Sequence, residues 1–225
     1  MAKTVKTPRI SVNKLAEYLE ANVTRRKQII YDAKYPAAYK STRYKEAGET
    51  IILFLIGSKG EDYVLSIIED LEKKTPRSDF QDNDNKLSAE LLESFLDSDI
   101  SLLDGCKINI CDHDNVLVDI NGVNISINPD LIVVKKINKT TQIGAIKLYL
   151  PKTELSEEGQ KIVATMIYIY VDKNLIQKDE VANLKLCLSF NVFNKHFECA
   201  PTAYKLRMRQ IEIACEEIAL RWDAI

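Results

Sequence analysis

No stretch of the chain is apolar for the roughly 20 residues that a bilayer span requires. The apolar runs are short, "TIILFLIG" at 50–57 and "TMIYIYV" at 165–171, and the opening "MAKTVKTPRISVNK" has no apolar stretch of the secretory-signal kind. These absences predict a cytoplasmic protein with no membrane partner. Cys106, Cys111, Cys187, Cys199 and Cys215 are an odd set without a C-x-x-C pair, so neither a disulfide framework nor a zinc ribbon is encoded. The nearest approach to a metal cluster is Cys106, Cys111 and His113, with His196 and Cys199 as a second half. Its ligand spacing is irregular, and buried cysteine is common for packing reasons alone. No internal repeat or low-complexity tract is present.

What the chain does have is apolar content of 46% over 225 residues, enough to bury one substantial core. One domain with a helical N-terminal extension is the expectation. The net charge of -2 hides a strong division. Residues 1–45 carry eleven Lys or Arg against three acids (Glu17, Glu20, Asp32), whereas residues 61–130 carry seventeen acids against five bases. Such a division suits either a polyanion-binding surface or two surfaces that pack on each other or on a second subunit.

Helical spacing dominates the first part of the chain. Val12, Leu15, Ala16 and Leu19 share one face after the N-cap candidate Ser11. A second helix starts near Thr24 and ends before Pro36, a third spans about 42–56 and stops at Gly57, and a fourth covers 61–71. The polar stretch "KKTPRSDFQDNDNK" reads as a loop, and a helix restarts at Ser88. The sequence thus predicts a basic helical region over 1–72, a polar loop over 73–87 and an α/β (α+β) core with a C-terminal helix over 88–225.

Within that core the period shifts to two. Val116, Val118 and Ile120 alternate with polar residues, Asn121-Gly122 supplies a two-residue turn, and Val123, Ile125 and Ile127 alternate on the return. Extended chain continues through "PDLIVV" and "IGAIKLYL". Ser156 caps a helix over 156–172, "LKLCLSFNVF" follows as a strand with "HFECA" able to pair with it, and a last helix spans about 202–222.

Two basic groupings bear on nucleic acid. The helices joined near "EANVT" invite a helix-turn-helix reading with Arg25, Arg26, Lys27 and Gln28 toward a major groove, although the turn has no glycine and Arg26 falls where an apolar residue is wanted. Tyr31, Tyr35, Tyr39 and Tyr44 interleave with Lys34, Lys40, Arg43 and Lys45, a mixture able to stack on bases and neutralise phosphates. Tyrosines at this density also pack at subunit contacts.

The stretch "NPDLIVVKKINKTTQIGAIKLYLPK" carries the sharpest chemical pattern. Residues i and i+2 of a strand share a face, so Ala145 and Lys147 face the same way, with Asp130 across from them on the neighbouring strand. Together with the order helix, three strands, helix, strand, this resembles the PD-(D/E)XK nuclease superfamily over about 88–193, with Pro129-Asp130 as the first half-motif and Ala145-Ile146-Lys147 in the place of the second. The resemblance implies a metal-dependent nuclease in which Asp130 holds Mg²⁺ or Mn²⁺ and Lys147 positions the attacking water, in a bacterial defence or mobile-element setting. Hard cations need converging oxygens, and Ala145 removes one of them. Replacement acids are sought in Glu157 and Glu158, in Glu90 or Glu93, and in Asp119.

The whole chain also resembles a bacterial family of unassigned function through "RISVNKLAEYLEA", "GAIKLYLPKTELSEEG" and "APTAYKLRMRQIEIACEEIALRW". Three functions therefore stand as expectations. The first is action on or binding of nucleic acid by a degenerate nuclease core, using Arg25, Arg26, Lys27, Lys34, Lys40 and Arg43 as the basic surface. The second is a catalytically inactive subunit or adaptor with a protein partner or a homo-oligomeric state. The third is a helix-turn-helix regulator.

Overall fold

The computed structural model describes residues 4–36, 43–112, 117–153 and 155–225. The N-terminal part contains β1 (Arg9–Ser11), α1 (Val12–Glu20), α2 (Val23–Lys34), α3 (Lys45–Leu55), α4 (Glu61–Lys73) and α5 (Asp79–Leu96). Five strands follow: β2 (Lys107–Ile110), β3 (Leu117–Ile120), β4 (Val123–Ser126), β5 (Leu131–Ile137) and β6 (Thr140–Tyr149). The chain closes with α6 (Glu157–Asn174), β7 (Glu180–Asn191), β8 (His196–Cys199) and α7 (Tyr204–Trp222). The protein is mixed α/β, and no helix among the described residues is long and apolar enough to cross a membrane.

The main sheet has the order β2-β5-β6-β7-β8. β2, β5 and β6 are antiparallel neighbours, β7 runs parallel to β6, and β8 returns antiparallel to β7. A parallel step needs a crossover, and α6 supplies it. Ile132 lies opposite Ala145 and Leu131 opposite Ile146, which brings Asp130 level with Lys147. Between β6 and β7 the pairing jumps from Ile143 opposite Ala182 to Ala145 opposite Cys187. At that irregularity a Cβ on Gly144 would meet the Leu186 carbonyl oxygen at 2.1 Å, so only glycine allows the approach.

Alternation along the strands divides the core between the two faces. Ile143, Ala145, Tyr149 and Cys187 pack with α1, α2, α6 and α7, whereas Leu131, Val133, Ile146, Leu148 and Phe190 pack with α3, α4 and α5. α1 and α2 therefore cover one face of the sheet, and α3 and α4 the other. Glu20 at the end of α1 bonds the Ser156 hydroxyl and the Ser156 N–H at the start of α6, where the helix dipole favours an anion.

Three expectations are corrected. The Asn121-Gly122 hairpin forms, with both turn residues at positive φ, but it belongs to a separate sheet of order β1-β4-β3. The first strand of the main antiparallel meander is instead β2, four residues that are too short and too exposed to alternate in the sequence. Finally, α5 starts at Asp79 and not at Ser88, which shrinks the expected 73–87 loop. Ser78 accepts the Gln81 N–H, the Gln81 side chain accepts the Arg77 N–H, and Asp79 and Asp82 favour the helix N-terminus.

Candidate functional site

β6 ends at Tyr149, and Pro151 turns the chain away. The Tyr149 hydroxyl donates to the Thr153 carbonyl at 3.0 Å, pinning the turn 149–153 as one wall of an open cleft of about 720 Å³. Burial, reinforced by the negative charges of Glu17 and Glu20, pushes the Tyr149 hydroxyl up to about 12, so it remains a donor at neutral pH. Asn13 and Lys14 at the start of α1, with Arg43 and Tyr44 before α3, form further walls. Asp130 and Lys147 sit in the same cleft.

Both oxygens of the Asp130 carboxylate have partners. One oxygen accepts the Leu148 N–H at 2.7 Å and lies 3.1 Å from Lys147 Nζ; the other accepts from the same ammonium at 3.2 Å. Lys147 also donates to the Asn128 carbonyl at 2.8 Å. Both side chains are partly exposed, Lys147 by 18% and Asp130 by 24%, so the pair is open to solvent and to a ligand. The pairing expected from strand spacing is thus present.

Ala145 is packed in the core with no exposure, between Ile132 and Cys187 on the flanking strands. None of the candidate replacement acids lines the cleft. Glu157 and Glu158 lie in the first turn of α6, where both pair with Lys161 and Glu158 also pairs with Arg207. Glu158 borders a different, smaller depression with Leu19, Glu20 and Gly159. Asp119 is in β3 of the second sheet, close enough to Cys215 to help raise its thiol. Glu90 comes nearest, since it holds the cleft residue Lys152 at 2.6 Å. Among the described residues no three His, Cys, Asp or Glu side chains are grouped to share a metal ion, and His113 lies outside them. Among the described residues the donor set therefore does not fit Mg²⁺ or Mn²⁺: one carboxylate lines the cleft, and its oxygens already hold an ammonium and an N–H.

The cleft wall does present cations. Among the described residues Lys14, Arg43, Lys147 and Lys152 line it against the single carboxylate of Asp130. Lys14 pairs with Glu17 at 2.6 Å and Lys152 with Glu90, but neither glutamate lines the cleft. Exposed pairs of this kind contribute about 0–1 kcal/mol, little enough for a phosphate to compete with. Arg43 has no carboxylate partner among the described residues and lies over the Phe80 ring at 5.1 Å. The buried Asn13 side-chain oxygen has no hydrogen-bond partner among the described residues. Sequence reasoning missed Lys14 and Lys152; the second closes the very stretch that drew attention to Asp130.

The other basic residues divide. Arg26 is consumed at helix ends: its Nε donates to the Tyr18 and Ala21 carbonyls, both at 3.0 Å, its Nη2 to Leu19 at 3.1 Å, and its Nη1 to Glu217 at 3.1 Å. The inward position in α2 is thus filled by a guanidinium that caps α1, not by an apolar side chain. Lys34 donates to the Trp222 carbonyl at 2.6 Å and caps α7. Arg25 is exposed, 3.5 Å from Glu17, and borders a neighbouring cleft with Arg9 and Lys14. Lys27 is exposed and has no partner among the described residues. Lys40 lies outside the described residues. No protein-family model matches the chain, and no curated protein matches it.

Proposed function

We propose that the protein binds nucleic acid through its phosphate backbone in the cleft around Lys147, on a core that resembles the PD-(D/E)XK nucleases and works without their metal site. The observation that carries this reading is the placement of Lys14, Arg43, Lys147 and Lys152 around one open cleft, with Asp130 as the only acid in its wall among the described residues. Phosphate contacts by Lys and Arg supply most of the sequence-independent affinity for nucleic acid.

The element order supports the family resemblance in a revised form. α5, the meander β2, β5 and β6, the crossover α6 and the parallel β7 make up helix, three strands, helix, strand. Asp130 stands at the start of the middle strand and Lys147 near the end of the next, on one face. In this reading Asp130 holds Lys147 in place, and the ammonium meets the ligand.

Binding of labelled single-stranded and duplex oligonucleotides, with Mg²⁺ or Mn²⁺ added in parallel, tests the proposal. The expected result is binding that weakens at least tenfold in Lys147→Gln combined with Arg43→Gln, and oligonucleotides that stay intact in either metal. Metal-dependent cleavage abolished by Asp130→Ala would overturn the metal-free reading. An oligonucleotide that does not bind at all would overturn the whole of it.

A further inference from the structure

α7 packs Ile211, Ala214, Cys215, Ile218 and Trp222 inward. Its opposite face carries three large apolar side chains in the open: Leu206, 58% exposed, Ile213, 61%, and Leu220, 82%. They are spaced seven and seven, and with Arg209 and Glu216 between them the exposed seam runs 206, 209, 213, 216, 220 in alternating steps of three and four. Over two heptads a straight helix drifts by about 40°, so the three apolar side chains remain on one stripe. Single exposed apolar residues need no explanation, whereas an aligned row on one helix does.

The row is self-complementary under reversal. Turning a second helix about a two-fold axis through Ile213 sets Ile213 against its own copy, Leu206 against Leu220, and the same flank of each helix against the other. That flank reads Lys205, Arg209, Glu212, Glu216, Asp223, bases first and acids after. With a rise of 1.5 Å per residue, Arg209 comes within about 1.5 Å of the level of the second copy's Glu216, and Lys205 within about 3 Å of the level of its Asp223. Among the described residues Lys205, Arg209 and Asp223 have no ion-pair partner, and Glu216 accepts only the Asn121 amide at 3.2 Å. A parallel pairing would instead set base on base and acid on acid. The Glu212 side chains approach each other near the axis and oppose the pairing.

We infer that the outer face of α7 is a homodimer interface, in which two copies of this chain pair antiparallel across Leu206, Ile213 and Leu220. The inference is independent of the cleft and of what binds there. Flanking charges of opposite sign set orientation in helix pairs of this kind, while the apolar row contributes the contact.

Sedimentation equilibrium on the full chain over a wide concentration range tests it. The wild type is expected to populate a dimer that Ile213→Glu dissociates at least tenfold more readily, with unchanged circular dichroism, since that side chain faces outward. Arg209→Glu is expected to weaken the dimer and Arg209→Glu with Glu216→Arg to restore it, while Glu212→Gln tightens it. A wild type that stays monomeric throughout overturns the inference and leaves the seam to a partner of different sequence. A dimer indifferent to Ile213→Glu and to both charge variants overturns it as well.

Discussion

Arg26 and Lys34 on α2 and the cations of the Lys147 cleft are built from the same residue types, yet the fold uses them in opposite ways. Arg26 and Lys34 spend their donors on backbone carbonyls at the C-terminal ends of α1 and α7, and so tie three helices together. Those carbonyls have no partner inside their own helices, and a cation also suits the negative end of the dipole. Around the cleft, Lys14, Lys147 and Lys152 each pair with a carboxylate, Lys147 donating to the Asn128 carbonyl as well, and Arg43 has no carboxylate partner among the described residues. A basic residue in a sequence thus has two readings, and what separates them is whether a helix end lies within its reach.

The largest effect is expected at Arg26. Arg26→Met takes its donors from the Tyr18, Leu19 and Ala21 carbonyls and leaves Glu217 with Arg221 alone, and by the usual cost of losing charged hydrogen bonds it should lower unfolding free energy by about 2–3 kcal/mol in urea denaturation. Oligonucleotide affinity per folded molecule should stay within twofold of wild type. Lys147→Gln should do the reverse, weakening binding by about tenfold, or roughly 1.4 kcal/mol, at a smaller cost in stability. If Arg26→Met instead removed binding while leaving the melting point alone, the assignment of the two groups would be inverted.

A weaker effect concerns pH. Burial pushes the Cys187 and Cys215 thiols from 9.0 to about 12, and the Tyr18 and Tyr149 hydroxyls from 10.0 to about 12. Each is raised on folding, so its contribution is fully present below the ordinary value and is lost as pH rises through the window from about 9 to 12. Thermal midpoints should therefore hold at neutral pH and fall progressively above pH 9; a midpoint that rose there would contradict the burial of these groups. Smaller again is the response to Mg²⁺. A ligand stabilises by mass action only if the folded state binds it, so millimolar Mg²⁺ should leave the wild-type midpoint within about 1 °C. The least effect belongs to Lys27→Ala, expected within about 0.5 kcal/mol because the side chain is exposed and unpartnered among the described residues.

The pairing of Asp130 with Lys147 was legible because it depends only on strand period and on a hairpin between two recognisable runs. The helices with apolar stripes were legible for the same reason, and so was the Asn121-Gly122 turn. What could not be read is tertiary. β1 and β2 are three and four residues long and take their strand character from β4 and β5. The start of α5 hid in "DFQDNDNK", whose aspartates favour a helix N-terminus as readily as a turn. Lys14 reaches the cleft through the tertiary packing of α1, and no local pattern encodes that. Arg26 looked misplaced in a helix-turn-helix frame, and the mismatch was itself the trace of its capping role.

Under the proposed function the four cleft cations meet phosphate. Fluorescence anisotropy of a labelled single-stranded oligonucleotide over a salt series measures this directly, because each neutralised phosphate contributes about -0.7 to the slope of log Kobs against log salt. The wild type is predicted to show a slope near -3 from about four contacts, with Lys14→Gln, Arg43→Gln, Lys147→Gln and Lys152→Gln together flattening it toward zero. A slope left unchanged by that quadruple variant, in a protein that still folds, would contradict the claim.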